Sequence, residues 1–348
     1  MDPQKHQPQL KIRLTHANTY AAFGFVFAIY AVYASTANFQ QLDSDIQYYV
    51  EYFREIFNHT HYTFVDKLKI FLGSSDYLFG AISESIGFVF PPRLTLFFIA
   101  LIGPFLLIYS LIHHTWLNSR EKTSVLLGLT CFTFHNAFLT GPFHYLRYHL
   151  ALFIFISLFF SQKRTFTPLA SGFIHLSTVA LAPASLFRHS RYYFRVIFAL
   201  QITLLGMHMS GTSFSHLPWF DSIAIYESYA TNYSGYEDPN LLKYYILSLT
   251  IQLYGLNNRH SMLIFLPFLN LLATSTFVAL LLNTLSPSAL LAARFSPSMV
   301  FFIFISLNQI IQIYLGRKKT ALLVIIISAL LCIYYAIPYL KSDSVRLF

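Results

Sequence analysis

Charge is what this chain has least of: Asp, Glu, Lys and Arg make up 11% of its 348 residues. A soluble domain carries about 25% charged residues, so a soluble globular fold is excluded. Acids are scarcer than bases, 14 against 23, which leaves a formal charge of +9. That excess does not mark a nucleic-acid binder, because the basic residues lie in short loops between apolar runs and no basic groove carries stacking aromatics. Cysteine is nearly absent. Cys131 and Cys332 both fall inside apolar runs, which argues against a disulfide framework and a thiolate metal site. Alternating segments of about ten residues are missing too, and with them a transmembrane barrel. The polar N-terminus, up to Asn18, lacks a small-residue cleavage site, so the first apolar run is expected to stay as an anchor.

What the chain has is apolar length, with 55% hydrophobic and 18% aromatic residues. Runs of spanning length recur throughout and predict a single all-α, polytopic membrane domain over residues 1–348. Spans are expected near 19–37, 94–112, 123–140, 147–161, 192–210, 242–256, 261–283, 298–314 and 320–339. Phe166 to Phe187 contains Pro168, Gly172 and Pro183 and is flanked by basic residues on both sides, Lys163 and Arg164 before and Arg188, Arg191 and Arg195 after. A single crossing would put one basic cluster outside, so a broken, re-entrant pair of half-helices with His175 near its tip is expected. The total is about 10–11 membrane segments.

Two long polar sections separate the runs. Residues 38–93 are expected to form an extracytoplasmic loop with two interfacial amphipathic helices, one with Phe64, Leu68, Phe71 and Leu72 on a face, the other with Leu78, Ile82, Ile86 and Val89. Residues 211–241 form the second loop, with tyrosines at 226, 229, 233 and 236. This topology places fourteen of the 23 Lys and Arg inside, but only Asp2 and Glu121 of the 14 acids, leaving twelve acids outside. That is the positive-inside asymmetry, with the N-terminus cytoplasmic and the C-terminus extracytoplasmic.

Cytoplasmic loops this short leave any active site facing outward. Arg147 opens one span and Arg294 precedes another, and guanidinium forks at span ends suit phosphate or pyrophosphate oxygens. Such arginines also snorkel to headgroups with no chemical task. His175, at membrane depth, is a candidate base or a helix-packing donor. Asp43 and Asp45 are candidate bases or simple turn caps, and the loop tyrosines stack on sugar rings or form an interfacial belt. His59 and His61 lack a third ligand at useful spacing, so no metal is expected.

Leu42-Asp43-Ser44-Asp45-Ile46-Gln47-Tyr48-Tyr49 resembles the Asp-x-x-x-Tyr-type opening of the EpsG/Wzy-like polysaccharide polymerase family. Asp76-Tyr77-Leu78-Phe79 sits where that family has an acidic-Pro-Gly-Phe-like stretch, without its Pro and Gly. Tyr145-Leu146-Arg147-Tyr148-His149-Leu150-Ala151 resembles its Ile-Arg-Gln-x-Leu-Ala segment, with Tyr148 for Gln. Phe173-Ile174-His175-Leu176-Ser177 is similar to its Phe-His-Lys-Ser segment, with one residue inserted and Leu176 for Lys. Ala293-Arg294-Phe295 resembles its late Arg element.

The resemblance implies a GT-C-like glycosyltransferase of the bacterial inner membrane. It would join undecaprenyl-pyrophosphate-linked repeat units into O-antigen, capsule or exopolysaccharide, with no cofactor and with a chain-length regulator as possible partner. It assigns Arg147 and Arg294 to the donor pyrophosphate, and Asp43, Asp45 or His175 to the base. Tyr233 and Tyr236 would line the acceptor groove, and Tyr48 and His144 are further substrate-binding residues. A flippase for lipid-linked sugars and a membrane O-acyltransferase are the alternatives. A flippase should show repeats related between its halves, and none is visible in the sequence.

Overall fold

The computed structural model describes residues 20, 23–31, 45–59, 61–72, 76–135, 146–161, 166–211, 241–285 and 290–340. Everything regular among them is helical, with no strand. They fall into two compact units, residues 1–179 with 311–348, and residues 180–310.

The first unit opens with α1 (residues 23–31), whose Phe23 and Phe27 rings meet Phe105 and Phe97 edge-on at 5.8 and 5.3 Å. Three short helices follow: α2 (Asp45–Phe57), α3 (Phe64–Leu72) and α4 (Tyr77–Gly87). The expected amphipathic pair corresponds to α3 and α4, while α2 is an addition. Helix α4 turns Phe79, Gly80, Ser83 and Gly87 inward and leaves Leu78 and Val89 exposed. Small residues win the protein-facing side because the neighbours approach so closely. A Cβ on Gly80 would stand 2.5 Å from the Phe64 ring, and one on Gly87 would stand 3.1 Å from Ile56. Of the branched apolar stripe, Leu78 and Val89 are exposed, while Ile82 and Ile86 between them are half-buried.

Helix α5 (Pro92–His113) starts with proline in its first turn, where the missing N–H has no cost. Its 22 residues extend about 33 Å. Helix α6 (Ser119–His135) comes next, and α7 (Leu146–Ser161) packs along α5. A Cβ on Gly103 would lie 2.9 Å from Cβ of Phe153, so the two helices touch nearly backbone to backbone. Ser110 Oγ donates to the Ser157 carbonyl at 3.0 Å, and Trp116 Nε1 to the Phe159 carbonyl at 3.1 Å. Twelve of the 16 residues of α7 are buried, which explains a helix that is apolar all round.

The proline-punctuated stretch is broken, as its sequence suggests. Two 3-10 turns, Thr167–Phe173 and Leu176–Leu181, lead into α8 (Ala182–Leu186), with Pro168 and Pro183 at helix starts and His175 between the turns.

The second unit contains α8, α9 (Arg191–Met209), α10 (Leu241–Asn257), α11 (Arg259–Leu285) and the first part of α12 (Leu290–Leu340). Its interior is held by neutral polar pairs. Gln201 and Gln252 exchange amide hydrogen bonds at 3.2 and 2.9 Å, Gln201 also donates to the Ala273 carbonyl at 2.9 Å, and Ser248 meets Thr276 at 2.6 Å. The spans expected at 298–314 and 320–339 are two helices within the stretch labelled α12, separated by a kink at Gly316, where φ is +70°. Glycine alone enters that conformation without steric cost.

Among the described residues, three helices are long and apolar enough to cross a membrane: Pro92–His113, Phe265–Thr284 and Phe295–Gly316. The chain thus carries the helices of a membrane protein.

Candidate functional site

Three segments of the first unit bring charge together. Asp76 occupies the N-cap position of α4, but its backbone (φ −75°, ψ 66°) leaves the carboxylate unused as a cap. The side chain reaches instead to the first turn of α7. Arg147 Nη1 donates to Asp76 Oδ2 at 2.9 Å. His175 Nδ1 approaches the same oxygen at 3.2 Å. From α2, the Tyr49 hydroxyl accepts from Arg147 Nε at 3.2 Å, with the guanidinium carbon 6.0 Å from the centre of the Tyr49 ring.

These side chains are held by their neighbours. Tyr49 is buried and leans on Phe53 and Phe79 at 6.4 and 6.0 Å. The Tyr148 ring meets the His175 ring edge-on at 6.1 Å. The turn carrying His175 is tied by its own hydroxyls: Thr178 Oγ1 donates to the His175 carbonyl at 2.9 Å, and Ser171 and Thr178 bond each other at 2.9 Å. The His175 N–H closes on the Ser171 carbonyl at 3.2 Å.

The side chains of Asp76, Arg147 and His175 are 15%, 19% and 29% exposed, so the cluster is sheltered yet reachable. Burial pushes the Asp76 carboxyl up, but the hydrogen bond and charge of His175 and then of Arg147 outweigh it. The carboxyl is held below its ordinary range. A fixed anion, a fixed cation and an imidazole on a shared oxygen can move a proton and stabilise developing charge within one small volume.

Of the residues singled out from the sequence, Arg147 and His175 are brought together. Tyr48 is 59% exposed on the outer side of α2, and its neighbour Tyr49 is the one that touches Arg147. The α2 stripe Ile46, Tyr49, Phe53 and Ile56 carries that distinction in its spacing. Asp43, His144, Tyr233 and Tyr236 lie outside the described residues. Asp45 and Arg294 are described only as helical backbone.

Asp76 is the residue that sequence reasoning passed over as a site. An acid just before an apolar helix reads as a cap, and only the spatial partners reveal its other role. Among the described residues no group of three or more His, Cys, Asp and Glu is placed to hold a metal. No protein-family model, curated protein or solved structure matches this chain.

Proposed function

We propose that this chain is a multi-span glycosyltransferase of the bacterial inner membrane, of the EpsG/Wzy-like polymerase type, acting at the outer face. The observation that carries this reading is the meeting of Asp76, Arg147 and His175 in one hydrogen-bonded cluster. They belong to three of the segments whose sequences resemble that family, and they lie 71 and 99 positions apart along their bonds. A set of unrelated apolar segments gives no reason for those three to converge.

The reaction moves a growing glycan from its undecaprenyl pyrophosphate carrier to a hydroxyl of a fresh lipid-linked unit. Two tasks follow: the leaving pyrophosphate needs positive charge, and the acceptor oxygen needs to lose a proton. Arg147 serves the first, since a guanidinium remains cationic and matches phosphoryl oxygens in pairs. Asp43 and Asp45 remain candidate bases for the second; among the described residues, His175 is the candidate base adjoining Arg147. Arg294, Tyr48, His144, Tyr233 and Tyr236 complete the binding set in this reading. The architecture is GT-C-like with about ten or eleven membrane segments, the N-terminus cytoplasmic and the C-terminus outside. No cofactor is involved, and a chain-length regulator is the expected partner.

The test is release of undecaprenyl pyrophosphate by the purified protein from its lipid-linked repeat unit. One carrier should appear per unit added to the glycan. Acyl transfer without carrier release, or uptake of the lipid-linked unit across vesicles without any new glycosidic bond, would refute the proposal.

A further inference from the structure

Asp76 Oδ2 receives both Arg147 Nη1 at 2.9 Å and His175 Nδ1 at 3.2 Å. Arginine is an obligate donor, so it claims the oxygen as an acceptor. A carboxylate held by a guanidinium has no hydrogen of its own to give. The remaining contact is therefore satisfied in one way only, by an N–H on Nδ1 of the imidazole. In the neutral ring the hydrogen on Nδ1 leaves Nε2 bare. Nε2 makes no hydrogen bond among the described residues, and the His175 side chain is 29% exposed. The edge contact with Tyr148 and the bonds through Ser171 and Thr178 fix the plane in which Nε2 points. Histidine free in water prefers the opposite tautomer, with its hydrogen on Nε2, so the site works against the intrinsic bias of the ring.

We infer that Asp76 is a positioning residue that locks His175 in the Nδ1–H tautomer, so that Nε2 faces outward as the acceptor for a sugar hydroxyl proton. The catalytic part of this inference rests on the glycosyltransferase reading; the tautomer itself does not. In the transfer step the hydroxyl proton passes to Nε2 and the hydroxyl oxygen bonds to the anomeric carbon of the donor. The anomeric carbon–oxygen bond breaks, and its electron pair leaves with the pyrophosphate beside Arg147. The imidazolium that forms is offset by Asp76 and returns its proton to water. Asp76 never meets the substrate. It orients the base and balances the charge the base acquires, as second partners of functional histidines do.

The experiment is nitrogen-15 NMR of the full chain, labelled at histidine, in micelles or nanodiscs without substrate. The His175 signals are identified by their loss in His175→Gln. At a pH where the ring is neutral, Nδ1 should carry the hydrogen and Nε2 should have the shift of a bare nitrogen. Asp76→Leu should move the population to the Nε2–H form. A wild-type ring with its hydrogen on Nε2 overturns the inference directly, whether or not the variant folds. An unchanged tautomer in folded Asp76→Leu overturns it as well.

Transfer assays then separate the two claims. With wild-type polymer formation established, Asp76→Leu should lower kcat by at least about tenfold, the scale of losing a partner that orients a functional histidine, with little change in the KM of the lipid-linked acceptor. A raised KM at unchanged kcat rejects the positioning role. Failure of the wild-type protein to form any glycosidic bond refutes the glycosyltransferase reading and leaves the tautomer result intact.

Discussion

Removing Asp76 and Arg147 singly and together tests whether the cluster is an energetic unit. Exposed ion pairs contribute about 0–1 kcal/mol, and breaking a buried one costs about 3–5 kcal/mol. With side chains 15% and 19% exposed, the pair lies toward the buried end. Asp76→Ala removes the shared acceptor and takes the carboxylate from Arg147 while its bond to Tyr49 remains, so a loss of about 1.5–3 kcal/mol is expected, the range for hydrogen bonds to charged groups. Arg147→Ala leaves Asp76 with His175 alone and should cost about 2 kcal/mol by the same rule. Because both variants lose the same contact, the double variant should be little worse than either, with a coupling of about 1–2 kcal/mol where independent sites add to within about 0.5. Reversible unfolding in detergent micelles, followed by the helical circular-dichroism signal, gives the four free energies. Simple additivity of the two losses would refute the view of Asp76 and Arg147 as an interacting pair.

Acid should dissolve the same pair. The Asp76 carboxyl is depressed in the folded protein, so its stabilisation is complete above the ordinary carboxylate value of 3.8 and disappears as pH falls through the lower folded value. The stability gap between wild type and Asp76→Asn should persist from neutral pH down to about pH 5 and close below about pH 4; a gap that closes near pH 6 contradicts the sign. Gly103→Ala pushes a methyl group to 2.9 Å from Phe153 Cβ, an atom fixed to the α7 backbone, and should cost about 1–3 kcal/mol. Thermal unfolding measures it, and no shift in midpoint would mean that α5 and α7 are not packed as described. In the second unit, Gln201→Leu takes the donor from the Gln252 side-chain oxygen, while Gln252 Nε2 keeps its bond to Ser248 at 3.1 Å, and should destabilise by about 1 kcal/mol; Gln201→Leu with Gln252→Leu should recover part of that loss, since no side-chain amide is then left half-paired. A double variant worse than the single would show that the amide pair stabilises in its own right.

Helix positions were legible where apolar length alone decides. The runs beginning near 94, 147, 192, 242 and 261 are helices within a few residues of their expected bounds, because an apolar run bounded by polar loops has few other structures available. The break around His175 could also be read, since prolines at 168 and 183 restart helices rather than continue them. On α4, hydrophobic periodicity picks out a stripe for the membrane interface, and Leu78 and Val89 at its ends are exposed; the side that packs on α2 and α3, with Gly80 and Gly87 in close contact, was not singled out. At the candidate site, isolated charge in apolar surroundings picks out Arg147 and His175, which the fold brings to one oxygen of Asp76. It could not find Asp76, whose local context is that of an ordinary cap, nor choose Tyr49 over Tyr48 without weighing the buried stripe of α2. Both depend on contacts across about a hundred positions of chain, which local pattern does not encode.

The central claim is that glycosyl transfer occurs at the Asp76–Arg147–His175 cluster. Its most direct test is polymerisation by the purified protein on its lipid-linked repeat unit, with products resolved by length, comparing wild type with Arg147→Ala and His175→Ala. The account predicts a ladder from wild type that collapses to the single unit in both variants while their helical content and unfolding remain cooperative. Full-length ladders from folded Arg147→Ala and His175→Ala would contradict it and move the chemistry elsewhere in the chain.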